Sequence, residues 1–182
     1  NSEPMFINYR VHAGYIPKES WIQDSIQGGR IIGEGCHFID TMKYLVNSKI
    51  TKVSASSIRT SNTKLIGYDT VNITIEFENG SIGNLQYLAN GDSSVPKERL
   101  EVFSNGKTAF MNNFKTVEFF ENNKLKVNKF DGGKGHKEEV EYFLSVIQGL
   151  QEESLTFDSI YETTLVTFKI LESLRLSQPI NL

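Results

Sequence analysis

Over residues 5–13 apolar and polar side chains alternate, with Phe, Ile, Tyr and Val prominent, and this period of two predicts a strand from Met5 to Ala13. The stretch GYIPKESWIQDSIQGG then loses the alternation. Gly14 and Pro17 open it and Gly28 and Gly29 close it, as in a long loop. From about Ile31 to Val46 the period changes again. Phe38, Met42 and Leu45 fall at i, i+4 and i+7, the stripe of an amphipathic helix.

The middle of the chain holds short runs rich in β-branched and aromatic residues: Ile50 to Thr60, Thr70 to Glu78, Ser81 to Ala89, Arg99 to Ser104, Lys107 to Asn112, Thr116 to Glu121 and Leu125 to Phe130. Between several of them stand ENG, SNG and ENN, where Gly or Asn tolerates the positive φ of a hairpin turn. Strands joined so tightly run antiparallel, because parallel neighbours need a crossover. A meander-like antiparallel sheet is the expectation.

Two further helices are expected. His136 to Leu150 carries Val140, Phe143, Leu144 and Ile147 on one face, has Glu138 and Glu139 at its positive end, and stops near Gly149. Asp158 to Leu176 has Asp158, or a capping box from Ser159 to Glu162, at its start and offers Leu165, Phe168 and Leu171 for packing. Segregated strands and helices mean an α+β fold: an open, predominantly antiparallel sheet with helices packed on one face. The other face, read as apolar, then needs a neighbouring domain or a second copy to cover it.

Composition narrows the class. The 182 residues suit one domain spanning 1–182, with 38% hydrophobic residues, 23% charged residues and a net charge of -3. The 19 basic residues are scattered, which disfavours nucleic acid, and no apolar run approaches membrane-spanning length. A single cysteine excludes an internal disulfide and accords with a cytoplasmic setting. The opening NSEPMFINYRV enters a strand at once, as if cut from within a longer protein.

The densest chemistry lies in GGRIIGEGCHFIDT, Gly28 to Thr41. A phosphate cradle is disfavoured, since GEG follows a loop rather than a strand of a βαβ unit. A metal site is disfavoured too, because adjacent Cys36 and His37 diverge by about 100° on a helix and no partner motif completes a set. Cys36 reads as a small buried residue. His37 shares a helix face with Asp40 and Thr41, so a carboxylate is spaced to hold one ring nitrogen while the other exchanges a proton. A histidine merely packing under the loop is the competing reading.

Tyr15, Lys18 and Trp21 on the long loop are candidates for binding a polar ligand, against ordinary loop packing. NGDSSVPKER, with Lys97, Glu98 and Arg99, reads as a mobile lid or a charged hairpin end. Lys134 and His136 stand at a helix N-terminus, where anions are attracted, or on a solvated linker.

Four stretches, INYRVHAGYIPKESWIQD, GGRIIGEGCHFIDTMKYL, VPKERLEVF and KGHKEEVEYFL, together resemble the C-terminal domain of the glucose-fructose oxidoreductase / inositol dehydrogenase / MocA family. The nearest resemblance is to a bacterial branch of sugar-type dehydrogenases sometimes joined to a zinc alcohol dehydrogenase-like half. The resemblance implies an N-terminal Rossmann domain, absent from this chain, that binds NAD or NADP and carries a glutamate-lysine-proline motif with the catalytic lysine. It implies a dimer through the open sheet face, and a sugar, nucleotide sugar or polyol as substrate. His37 matches the family histidine of proton transfer, with Glu34, Arg10, Tyr15, Lys18 and Trp21 as substrate-lining candidates. No cofactor-binding residue is expected in this chain, and turnover is not expected of it alone. Many members carry an aspartate four residues before the histidine, where Gly33 stands here. A non-catalytic dimerisation or ligand-binding module derived from the same fold is the alternative.

Overall fold

The computed structural model describes residues 3–24, 29–59 and 68–182. Gly28, and Thr60 at the end of one expected strand, lie outside the described residues. Among the described residues nine strands form one sheet: β1 Phe6–His12, β2 Ile50–Ser57, β3 Val71–Phe77, β4 Ile82–Leu88, β5 Glu98–Ser104, β6 Lys107–Asn112, β7 Thr116–Glu121, β8 Lys124–Lys129 and β9 Ile180–Asn181. Three helices accompany them: α1 Cys36–Val46, α2 His136–Ile147 and α3 Phe157–Leu176.

The hairpin turns form where Asn and Gly accept positive φ, at Asn105 and Gly106 between β5 and β6 and at Asn122 and Asn123 between β7 and β8. The strand order is β8-β7-β6-β5-β1-β4-β3-β2-β9. This revises the simple meander. β1 lies between β4 and β5, parallel to β4 and antiparallel to β5, so the β4–β5 connection must cross the end of β1. The short β9 adds to β2 at one edge.

Alternation along the strands sends Ile7, Tyr9, Val11, Ile73, Ile75, Leu85 and Tyr87 to one face, where they meet Phe38, Ile39 and Met42 of α1 and Val166 and Ile170 of α3 in a single core. α3 begins one residue before Asp158, because Thr156 is the cap: its side chain accepts from the Ser159 amide at 3.2 Å. Lys43 of α1 pairs with Glu162 of α3 at 2.5 Å, tying the two covering helices together. α2 has no buried residue, and Phe143 and Ile147 are exposed, so only two of the three helices cover the sheet.

The opposite face, expected to be apolar, is apolar in part. Across β3, β4, β1 and β5 the register aligns Thr74, Asn84, Asn8 and Glu101 in one row, and Asn72, Gln86, Arg10 and Arg99 in the next. The row of Ile82, Phe6 and Phe103 is apolar and exposed, with Glu76 at its β3 end. Beyond Phe103 the same face carries Phe110 and Phe120, and the Phe110 ring contacts those of both Phe103 and Phe120.

Candidate functional site

The glycine-rich stretch forms a helix rather than a loop. Residues 29–30 are helical, a π-helical turn runs over Ile31–Gly35, and α1 follows without a break. Gly29 alone of its described glycines has positive φ (64°), which starts the helix; Gly35 has helical angles. A single π turn widens the helix by one residue and recurs at functional sites. Here it stands directly before Cys36 and His37.

That turn brings Arg30 and Glu34 over the sheet. The Glu34 carboxylate accepts from the Tyr87 hydroxyl on one oxygen and from Lys97 at 2.6 Å on the other, and the Arg30 guanidinium stands 3.6 Å away. Burial alone would raise its pKa. The hydrogen bonds from Lys97 and Tyr87 and the charges of Lys97 and Arg30 outweigh burial and hold the carboxyl below its ordinary range. Tyr87 is pushed in the opposite direction by burial and by Glu34, so its phenol stays a donor.

Arg30 is 4% exposed and fixes the loop after β1. It donates to the carbonyls of Gly14 (2.6 Å) and Ala13 (2.9 Å), lies 3.6 Å from Asp69 and 5.2 Å from the centre of the Tyr87 ring. Asp69 in turn accepts from Gln23 at 2.6 Å, closing the same loop from its far end. Between loop and helix lies a cleft of about 410 Å3, walled by Ile16, Trp21 and Ile22 and floored by Arg30, Gly33, Glu34 and Lys97. Trp21 is 73% exposed and presents its ring to this opening.

The sequence candidates therefore divide. Glu34 and Trp21 line the cleft. Tyr15 and Lys18 are exposed on the same loop but do not line it. Arg10 belongs elsewhere: Tyr9 and Val11 point to the helices, so Arg10 points to the bare sheet face, where it donates to the Pro96 carbonyl at 3.1 and 3.2 Å. His37 is exposed on the helix, four residues after Gly33. Asp40 is not its partner in a hydrogen bond; Asp40 accepts instead from Thr163 of α3 at 3.4 Å. Burial raises the Cys36 thiol, which keeps it protonated. Sequence reasoning missed Arg30 and Tyr87 and read Lys97 as part of a mobile lid or a charged hairpin end. The i, i+4 spacing of Arg30 and Glu34 was the available signal.

A second carboxylate is held in the same way. Glu98, 3% exposed, accepts from the Tyr9 hydroxyl and from Lys134, whose ammonium also lies 5.3 Å from the centre of the Phe114 ring. Phe38 packs against both tyrosines, with centroids 5.3 Å from Tyr9 and 6.2 Å from Tyr87. Lys134 thus ties the segment ahead of α2 to the sheet.

A family model described as the GFO/IDH/MocA C-terminal domain matches residues 3–108. The chain belongs to that family. No curated protein sequence matches it significantly. Among solved structures it is similar to an NAD binding oxidoreductase from Klebsiella pneumoniae, with a TM-score of 0.78 at 18% identity over 98% of this chain and 59% of that one. It is also similar to a UDP-N-acetylglucosamine 3-dehydrogenase from Acidithiobacillus ferrooxidans, with a TM-score of 0.76 at 15% identity over 96% of this chain and 54% of that one. A dehydrogenase from Clostridium difficile gives 0.74 at 21% identity over 95% of this chain and 55% of that one. At these identities the likeness shows the shared fold. The chain spans little more than half the length of these structures.

Proposed function

We propose that this family domain is the substrate-binding half of an NAD(P)-dependent oxidoreductase acting on a sugar, nucleotide sugar or polyol. The observation that carries the reading is the cleft itself: an exposed indole beside the carboxylate and ammonium of Glu34 and Lys97, an arrangement suited to a hydroxylated ring. The cofactor, NAD or NADP, accepts or donates the hydride. The described residues of this chain do not fit a pyrophosphate cradle, because Gly35 and the positions around it are helical rather than in a loop ahead of a helix. By the family resemblance the cofactor would be held by an N-terminal Rossmann domain of the parent protein.

In this reading Trp21 stacks on the substrate, Glu34 and Lys97 orient its hydroxyls, and Arg30 fixes the loop that carries Trp21. His37 exchanges the proton of the reacting hydroxyl. Its support is helical spacing: it follows Gly33, which lines the cleft, by about one turn, and its ring is exposed on the helix. The bare apolar faces have natural covers. The exposed Phe143 and Ile147 of α2 offer a surface for the Rossmann domain, and Phe6, Ile82 and Phe103 one for a second copy.

The test is steady-state kinetics on the full-length parent with His37→Ala. A fall in kcat of at least a hundredfold is expected. Unchanged kcat removes His37 from proton transfer, and an inactive parent with intact saccharide binding favours the non-catalytic module.

A further inference from the structure

We propose that Lys97 and Glu34 act as one reader of a vicinal diol, with Lys97 the specificity-determining residue for an uncharged substrate. This rests on the oxidoreductase reading of the same cleft and narrows it to a neutral sugar or polyol, setting aside the nucleotide sugar, whose phosphates are charged.

Donor and acceptor counting carries the argument. An ammonium has three N–H donors, and Lys97 places one on Glu34 Oε1. Two remain. Each carboxylate oxygen accepts two hydrogen bonds; the Tyr87 hydroxyl and the nearby Arg30 guanidinium address Oε2, while among the described residues Oε1 meets only Lys97. One acceptor site on Glu34 thus remains beside two donors on Lys97, with the two atoms 2.6 Å apart. Both side chains are partly open to solvent, at 42% and 28% exposed, and both line the cleft. Neighbouring hydroxyls of a polyol have the matching pattern, because one accepts from the ammonium while the next donates to the carboxylate.

Charge decides against an anionic substrate. The cleft cluster holds Arg30 and Lys97 against Glu34 and Asp69, two charges of each sign, so no uncompensated cation waits for a carboxylate or phosphate. The lysine is also fixed at its base. Its carbonyl accepts from the His12 amide at 2.7 Å, which sets the residue at the junction of loop and sheet.

The experiment is an amide and indole NMR titration of the 182-residue chain with D-glucose, D-glucitol and D-glucuronate, repeated on Lys97→Met and Lys97→Arg. Expected are shifts at Trp21, Glu34 and Lys97 with the two neutral compounds at millimolar concentration, and no tighter binding of glucuronate. Lys97→Met should weaken the neutral compounds about tenfold, and Lys97→Arg should restore part of that loss. Circular dichroism on each variant separates loss of binding from loss of fold. The proposal is overturned if glucuronate binds more tightly than glucose, if folded Lys97→Met binds as the parent chain does, or if none of the three perturbs the cleft. In the full-length protein Lys97→Met should raise KM with little change in kcat. A KM left unmoved in an active parent sinks the diol reader and leaves the oxidoreductase reading intact, whereas diol binding without turnover does the reverse.

Discussion

The Tyr87 hydroxyl, at the end of a central strand, donates to the carboxylate of Glu34, which sits on a π-helical turn 53 residues earlier. This bond, and not the glycines, fixes where the turn meets the sheet. Tyr87→Phe keeps the ring against Phe38 and Arg30 and removes only the donor. It should cost about 1.5 to 3 kcal/mol, the range for a hydrogen bond to a charged group. Urea denaturation measures the cost, and a change indistinguishable from zero means the bond does not anchor the turn. The same variant should move the Glu34 carboxyl upward, since one of the groups that lowers it is gone.

Glu34 also gives the fold a pH dependence of defined sign. Its folded-state pKa lies below the ordinary 4.5, so the charged form is the one the fold favours. The stability it contributes is fully present above that ordinary value and is lost as pH falls through the lower folded value. The gap in urea midpoint between the parent chain and Glu34→Gln should therefore be widest near neutrality and narrow as pH falls below 4.5. A gap constant from pH 7 to pH 3 contradicts the assignment.

What the sequence revealed was mostly local. The turns at Asn105 and Asn122 were legible because a positive φ is a property of two or three residues, and the strands beside them followed. The placement of β1 was not, because nothing within Phe6–His12 names a parallel partner 76 residues away at Ile82. The site divides on the same line. Glu34 and Trp21 were found in motifs near His37, whereas Tyr87 reaches Glu34 only through the register of β1, β4 and α1. Arg10 shows the converse: it was a candidate through the family resemblance, and the parity of its strand turns it to the face away from this cleft.

The inserted β1 leaves a steric mark at Gly91. The β4–β5 connection crosses the end of β1, where His12 is 8% exposed, and a Cβ added at Gly91 would lie 2.6 Å from His12 Nε2 and 2.7 Å from Cδ2. The ring is buried, so something must shift. Gly91→Ala should destabilise by about 1 to 3 kcal/mol, the usual cost of overpacking. Gly106→Ala, at φ 72° with open space around it, is strained through its backbone alone and should cost about 1 kcal/mol. Thermal denaturation of the pair compares the two causes; a Gly91→Ala as stable as the parent means the crossing is looser than described.

Gly33 stands where the family resemblance leads to the expectation of an aspartate, and the structure makes the difference testable. A Cβ there meets nothing within 4 Å, and the residue lines the cleft, so Gly33→Asp has room. Within the helix it exchanges glycine for a residue of somewhat better propensity, and stability should change by less than about 1 kcal/mol. The new carboxylate would stand next to Glu34 and one turn before His37. Its like charge should raise the Glu34 pKa, and Lys97 limits that rise by pairing with Glu34 at 2.6 Å. In the full-length parent, a gain in kcat on Gly33→Asp would mean the proton relay lacks a carboxylate in the natural chain. A loss of tenfold or more would mean the bare position is used, with substrate occupying the space that an aspartate would fill.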